Sequence, residues 1–415
     1  MTIAFSSPSA TVYSGASGKQ IFLTAFLFFA IFMEGFRVGG ILIASSAILC
    51  ILYTVAFNPS IPKRILPVFL ITFFWIIFLS TSNSLQLTGS LKDYLYIGIV
   101  IESFLMTICL YDAISSVSVK NIANILLIFI AAEVLLQLVE YLNLFGFNSI
   151  FGGVLEYWDN VDQARVGELG NSASRVPGSF GAPTAAGFVS YFTIRCIAVL
   201  LRRRWIVYLS IVPLLLCGAR AATAIFALWE ILLPIFSPRY RKVGMYALFV
   251  TVTCVILGIL FFPELFGQLF IFNVFWDAYS HNQLAATESV FNRVYGFQWA
   301  FDRPAFTWLL GGTTANQIAS FQNDVFGLDS ELVMRSVQYG LPGYILIAAT
   351  TLCAGYNRKD GDWWFGVVMV GFGALTNYVA TNVIIFPFLI LYNVCLARER
   401  DVSGWPSQTK TRGVG

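Results

Sequence analysis

Apolar runs close to 20 residues long recur throughout this chain and constrain its fold more than any other feature. A bilayer core about 30 Å thick is crossed by a helix of about 20 mostly apolar residues. Runs of that kind fall at 20–36, 39–57, 65–81, 94–111, 121–144, 182–201, 205–219, 221–236, 243–262, 333–356, 363–379 and 383–397. They predict an all-α fold, a polytopic membrane helix bundle of about 12 transmembrane helices. The short seventh run ends at Cys217-Gly218-Ala219-Arg220, and the topology changes if it is not separate from the eighth. Composition agrees with this reading. Apolar residues make up 58% and charged residues 11%, against ~45–50% and ~25% in ordinary soluble domains. A soluble enzyme, a disordered chain and a nucleic-acid-binding domain are excluded. The net charge of +3 is too small and too dispersed for a nucleic-acid partner.

Basic residues orient the bundle. With the N-terminus in the cytoplasm, the inside segments hold sixteen Lys and Arg, in tight groups such as Lys63-Arg64 and Arg202-Arg203-Arg204, while the outside segments hold eight scattered Arg and Lys. That bias predicts N-in and C-in. Residues 1–18 carry no charge before Lys19, so they lack the basic start of a cleaved signal peptide, and the first run is expected to be an uncleaved membrane helix. The expected organisation is one transmembrane helical domain over 1–400, followed by a flexible cytoplasmic tail over 401–415.

Two outside connections are long, at about 145–181 and 263–332, and loops beyond ~12–15 residues are usually functional or disordered. The second contains the apolar pieces 269–276 and Ala305-Phe306-Thr307-Trp308-Leu309-Leu310, too short to span and readable as interfacial helices. The chemistry is therefore expected on the extracytoplasmic face. The two halves of the chain share no internal repeat, which speaks against an inverted-repeat transporter. The seven Cys lie in apolar stretches without a CxxC, and His281 is the only His, so neither a disulfide framework nor a metal site is expected.

Polar residues inside the apolar runs are costly and tend to face a bundle interior or a wet cavity. Glu133, Gln137, Glu140 and Tyr141 share one helical face, as do Thr184, Gly187, Tyr191 and Arg195. Glu102 and Glu230 are read first as carboxylates that pair with one another or with Arg to hold helices together. On the outside, Arg175 lies in the Gly/Pro-rich Arg175-Val176-Pro177-Gly178-Ser179-Phe180-Gly181-Ala182-Pro183-Thr184 just before a span, and Arg220 opens the next such span after Gly218-Ala219. An Arg beside a helix N-terminus makes an anion site, and guanidinium suits phosphate. Arg293 and Arg335 are further outside arginines, the latter at i, i+4 from Glu331. Tyr295 and Trp299 in the large loop offer flat faces to sugar rings, although interfacial anchoring explains most such aromatics.

At these residues the chain resembles the Wzy-type O-antigen and exopolysaccharide polymerases and the related O-antigen ligases. The resemblance rests on Arg175…Gly178…Phe180…Pro183…Gly187, the Gly218-Ala219-Arg220-Ala221 turn, Asn292-Arg293 followed by Leu309-Leu310-Gly311-Gly312, and Asp329-Ser330-Glu331-Leu332 followed by Tyr339-Gly340-Leu341-Pro342-Gly343. It covers about 175–345 in order. It implies a bacterial inner-membrane glycosyltransferase with its active site facing the periplasm. The donor is a glycan on undecaprenyl diphosphate, and the acceptor is the terminal sugar of another lipid-linked repeat unit. Membrane lipid, a chain-length regulator and a flippase are the other partners it implies. Arg175, Arg220, Arg293 and Arg335 would bind the diphosphate, and Asp329, Glu331 and His281 are the candidate bases. The related ligases are expected to carry a His where this chain reads Asp329-Ser330-Glu331, a departure that favours polymerase over ligase. No Asp-x-Asp motif of the metal-dependent nucleotide-sugar kind stands on the outside, so no metal and no cofactor are expected. A ligase moving the finished glycan to a lipid A-core acceptor is the alternative, and a lipid-linked oligosaccharide flippase is the third reading.

Overall fold

The computed structural model describes residues 9–32, 37–38, 41–42, 45–63, 65–142, 144, 183–236, 245–246, 249–250, 253, 297–324, 330–356, 361–376 and 385–402. Regular structure among them is helical, except for one two-residue antiparallel pairing of Arg37–Val38 with Ile41–Leu42. That pairing stands where the second apolar run was expected to begin; the helix α2 starts later, at Ser45–Phe57. The other helices are α1 (Ser9–Phe32), α3 (Leu66–Ser84), α4 (Leu95–Ser116), α5 (Val119–Tyr141), α6 (Pro183–Leu200) and α7 (Ile211–Cys217). After α7 comes a rod made of α8 (Arg220–Phe226), a π-helical stretch (Ala227–Leu232) and α9 (Leu233–Phe236). Further on lie α10 (Ala305–Leu310), α11 (Ala315–Asp324), α12 (Glu331–Leu352), α13 (Gly361–Thr376) and α14 (Phe386–Val402).

Four helical segments are long and apolar enough to cross a membrane, over Leu66–Ser84, Leu91–Ser116, Val119–Tyr141 and Glu331–Gly355; six shorter apolar helices accompany them. α5 shows the character of the bundle. Its outward side chains are Leu127, Ile128 and Leu135, whereas Glu133, Gln137 and Glu140 are buried. Apolar outside and polar inside is the reverse of a helix in water and suits a helix in lipid. α3 repeats the outward pattern with Leu70, Ile71, Phe74 and Phe78 exposed. α6 and α14 lie at the centre and pack on one another; α14 also packs on α4, and α6 on α5, α7 and α8.

Polar contacts fix which helix ends lie together. Lys19 of α1 pairs with Asp112 of α4 at 2.7 Å, Tyr53 of α2 donates to the same carboxylate, and Asn121 of α5 donates to Gln20 of α1. The middle of α1, where its apolar run begins, therefore lies with the ends of α2 and α4 and the start of α5. This is the Asp112 end of the bundle. At the opposite, Asp93 end, Asn83 near the end of α3 donates to the Gln338 carbonyl of α12, and Tyr339 Oη donates to the Asp93 carbonyl just before α4. α3 and α12 run antiparallel from there, through Trp75 Nε1 to Tyr339 O and Thr72 Oγ1 to Leu346 O. α12 thus ends toward the Asp112 end, and a Cβ on Gly355 just beyond it would stand 2.5 Å from Asn393 Oδ1 of α14.

α12 is not one helix. The tenth apolar run predicted a continuous span, but Gly340 has φ 73° and ψ 156°, and Pro342 follows. The break frees the last carbonyls of the first half, which must find other donors inside a bundle. Thr313 N donates to Val337 O, Gly312 N and Asn83 Nδ2 to Gln338 O, and Trp75 Nε1 to Tyr339 O. A second apolar cluster, of Ala300, Ile318, Phe321, Val333, Met334 and Val337, packs residues 297–321 onto this first half. α10, expected to lie at the interface, leaves Phe306 and Leu309 exposed.

Candidate functional site

Two junctions occupy the Asp93 end, and both involve segments that carry the resemblance. The first joins α6 to the turn between α7 and α8. Gly218 ends α7 in the left-handed conformation, φ 61° and ψ 31°, which glycine adopts without a Cβ penalty. A Cβ on Gly187 would stand 2.2 Å from Ala219 Cβ and 3.1 Å from Cys217 Sγ. Glycine at 187 is what lets the turn lie directly on the first turns of α6. The start of α8, with Arg220 at its first position, is thereby set beside the start of α6. Two helix N-termini share this place, and the backbone N–H groups there favour an anion.

The second junction is an interlock of glycines. Gly311 has φ 73° and Gly340 has φ 73°. A Cβ on Gly311 would stand 2.3 Å from the Gln338 carbonyl oxygen, and a Cβ on Gly340 would stand 2.3 Å from the Leu309 carbonyl oxygen. Each glycine admits the backbone of the other's segment. Asp93 ties this junction to α4. One of its carboxylate oxygens accepts from Ala315 N at 2.6 Å, at the start of α11, and the other accepts from Ser90 N at 2.9 Å. Gln86 Nε2 donates to Gly312 O and Thr314 Oγ1 to Thr88 Oγ1, so the α3–α4 connection is stitched to the same loop. Arg335 stands on the first half of α12, its guanidinium 4.1 Å from the Tyr96 ring centroid and Nη1 donating to Gln338 Oε1 at 2.9 Å.

The expected site residues are distributed as follows. Arg335 lies at the glycine interlock. Glu331 opens α12 fully buried, behind the Ser330 cap that accepts from Val333 N and donates to the Ala374 carbonyl. Arg220 is placed by its backbone at the first junction. Trp299 is stacked on Phe321 at 4.2 Å, and the Arg303 guanidinium sits 4.4 Å over its ring. That is the setting of a packing aromatic in the second cluster. Arg175, Arg293, Asp329, His281 and Tyr295 lie outside the described residues, as does the connection over 145–181.

Toward the Asp112 end, Arg195 of α6 forms a third polar centre. It pairs with Glu230 of the π-helical stretch and with Asp362 of α13 at 2.6 Å, and donates to Tyr392 Oη of α14 at 3.1 Å. The Phe365 ring lies 3.7 Å from its guanidinium carbon. Tyr191 also donates to Glu230. The reading of Glu230 as a carboxylate that joins helices through an Arg describes this arrangement. Sequence reasoning did not single out Asn83, Gln86, Asp93, Tyr96, Gln338, Asp362 or Tyr392. For Asp93 a signal was present, since Ser90-Leu91-Lys92-Asp93 has the spacing of a capping box, and that box forms.

Among the described residues no group of three or more His, Cys, Asp or Glu is placed to hold a metal ion. Folded this way, the Asp93 end brings the starts of α6 and α8 together at one junction and places Arg335 and the glycine loop at the other. Comparison with protein families, with curated proteins and with solved structures finds no match for this chain.

Proposed function

We propose that the chain is a polysaccharide polymerase of the bacterial inner membrane. It would transfer a growing glycan from undecaprenyl diphosphate to the terminal sugar of a lipid-linked repeat unit, on the periplasmic face. The observation that carries the reading is the seat of the Arg220 turn on Gly187. It sets the start of α8 against the start of α6, the helix into which the Arg175–Pro183 segment leads. Arg220 and Arg175 would neutralise the diphosphate as it leaves, with Arg293 and Arg335 assisting, a preorganised electrostatic contribution. The proposed bundle has 12 spans with both termini inside. The placement of Lys19 and the α5 start with the α2 and α4 ends supports an inside position for that end of the bundle, because the basic groups Lys63-Arg64 and Lys120 flank those same ends. The Asp93 end is then periplasmic.

In the reaction, the hydroxyl oxygen of the receiving sugar attacks the anomeric carbon of the donor. The bond from that carbon to the diphosphate oxygen breaks, and its electron pair leaves with the diphosphate. Asp329, Glu331 and His281 remain the candidate acceptors of the hydroxyl proton.

The break of α12 at Gly340 favours a second reading, since discontinuous helices are a mark of transporters. One experiment separates the readings. A strain lacking the chain is complemented with wild type or with Arg220→Ala, and its surface polysaccharide and lipid-linked intermediates are separated on gels. Single repeat units on the final acceptor, in place of a ladder, are expected for the deletion and for Arg220→Ala. Long chains stranded on the lipid would mean a ligase. Units trapped on the cytoplasmic face would mean a flippase. A normal ladder from Arg220→Ala would remove that residue from the site.

A further inference from the structure

The buried face of α5 changes character along its length. Ile122, Leu126 and Ile130 make its first half apolar, and Glu133, Gln137 and Glu140 continue the same stripe as polar groups. Gln137 is fully buried, and its Nε2 donates to Glu133 Oε1 at 2.9 Å. In this contact the amide turns its nitrogen toward Glu133 and its oxygen away. That oxygen, Gln137 Oε1, has no hydrogen-bond partner among the described residues. A buried polar atom left in that state is destabilising, and the atom requires a donor.

The position of this atom is informative. α5 starts at the Asp112 end, so its polar half lies toward the Asp93 end. α5 packs on α6 and α7, the two helices that flank the Gly187–Ala219 junction. Gln137 is four residues before the end of α5 at Tyr141, and Gly187 is four residues after the start of α6 at Pro183. At 1.5 Å per residue both stand about 6 Å in from their helix ends. One turn beyond Gly187, the buried Ser190 hydroxyl also lacks a partner among the described residues.

We infer that this end of the α5 face is a subsite for sugar hydroxyls, in which Gln137 Oε1 accepts from a hydroxyl of the receiving sugar and Glu133 fixes the amide for it. The inference rests on the polymerase reading for the identity of that sugar. A hydroxyl-rich ligand suits the site because what is missing is a donor, and a sugar ring supplies several side by side. Gln137 is here a binding residue that selects and orients the sugar, while the α8 start would hold the diphosphate.

The test uses the full chain in lipid nanodiscs. The probe is repeat-unit oligosaccharide prepared by partial hydrolysis of the surface polysaccharide of the strain that encodes the chain. Binding is read as a rise in melting temperature. Gln137→Met keeps the length but removes the accepting oxygen, and should weaken apparent affinity roughly tenfold, the worth of one such bond. A second readout leaves Gln137 intact. Dicyclohexylcarbodiimide modifies buried carboxyls, and the oligosaccharide should protect Glu133 and Glu140 in the wild type, seen by mass spectrometry of the α5 peptide. Equal affinity in wild type and Gln137→Met, absence of protection, or a thermal shift given by sodium ion and not by sugar would each overturn the subsite. If sugar binds through Gln137 while the deletion strain still makes normal ladders, the subsite stands and the polymerase reading falls.

Discussion

Gly340→Ala tests the glycine interlock most directly. At φ 73° and ψ 156° the backbone lies where an L side chain is strained, at a cost of about 1–3 kcal/mol. The new Cβ would also stand 2.3 Å from Leu309 O and 2.8 Å from Leu309 C. Real contacts of this kind do not fall below 3.0 Å, so the 309–310 backbone must retreat by at least 0.7 Å. That backbone leads into Gly312 and Thr313, whose amides donate to Gln338 O and Val337 O. Losing both bonds costs about 0.5–1.5 kcal/mol each. The combined effect is about 2–6 kcal/mol, concentrated on the contact between 309–313 and the first half of α12. Hydrogen exchange of peptides covering 305–315 reads that opening without global unfolding. Protection should fall by at least roughly thirtyfold, the equivalent of 2 kcal/mol. Gly98→Ala on exposed α4, where nothing lies within 4 Å, is the control and should leave the peptide unchanged. Gly311→Ala should match Gly340→Ala, and the double variant should cost less than their sum, because the two share one interface. Protection in Gly340→Ala within about threefold of wild type would refute the interlock.

Other outcomes follow from the same contacts. Gly187→Ala should lower the melting temperature through overpacking worth about 1–3 kcal/mol, and Ala219→Gly in the same chain should restore most of it; failure of that rescue would separate the two positions. Glu230→Gln should destabilise by about 3 kcal/mol, since breaking a buried pair leaves Arg195 undercompensated, as measured by thermal denaturation in nanodiscs. Asp93→Ala removes the carboxylate that caps α11 and holds Ser90, and should loosen residues 315–324 by about 2 kcal/mol, seen as faster hydrogen exchange there with α5 unaffected.

Much of the bundle was legible in hydropathy because lipid-exposed helices must be apolar outside. The face shared by Glu133, Gln137 and Glu140 followed from their offsets alone, and it is buried. The Gly218 turn that separates the seventh and eighth runs was marked by its glycine. α1 starts at Ser9, well before its apolar run, because small and polar residues permit helix without marking a span. The break in α12 was hidden, since apolar residues continue on both sides of it. Gly340 and Pro342 were the only local signs, and a proline inside an apolar run was the signal to use. The long-range partners had no local signature. Asp93 meets Ala315 across 222 residues, and Arg195 meets Tyr392 across 197. Of the arginines proposed for the diphosphate, Arg335 came to a structured place because it sits on α12, and Arg220 did so through its backbone, while Arg175 and Arg293 fall in stretches outside the described residues.

The π-helical stretch within the rod that follows α7 has a consequence for how this chain tolerates changes in length. Six residues from Ala227 to Leu232 bond i to i+5 rather than i to i+4. They hold one residue more than an α-helix would use to bridge the same flanks. Deleting one residue ahead of Glu230 lets the rod close into regular bonding while α8 keeps its seat on α6 and α13. What such a deletion removes is aim. In an α-helix one position is a rotation of about 100°, and Glu230 would swing away from Arg195 by that amount. The surplus residue acts as a set-screw: it leaves the rod's length and neighbours alone and turns a single carboxylate onto the cation at the centre of the bundle.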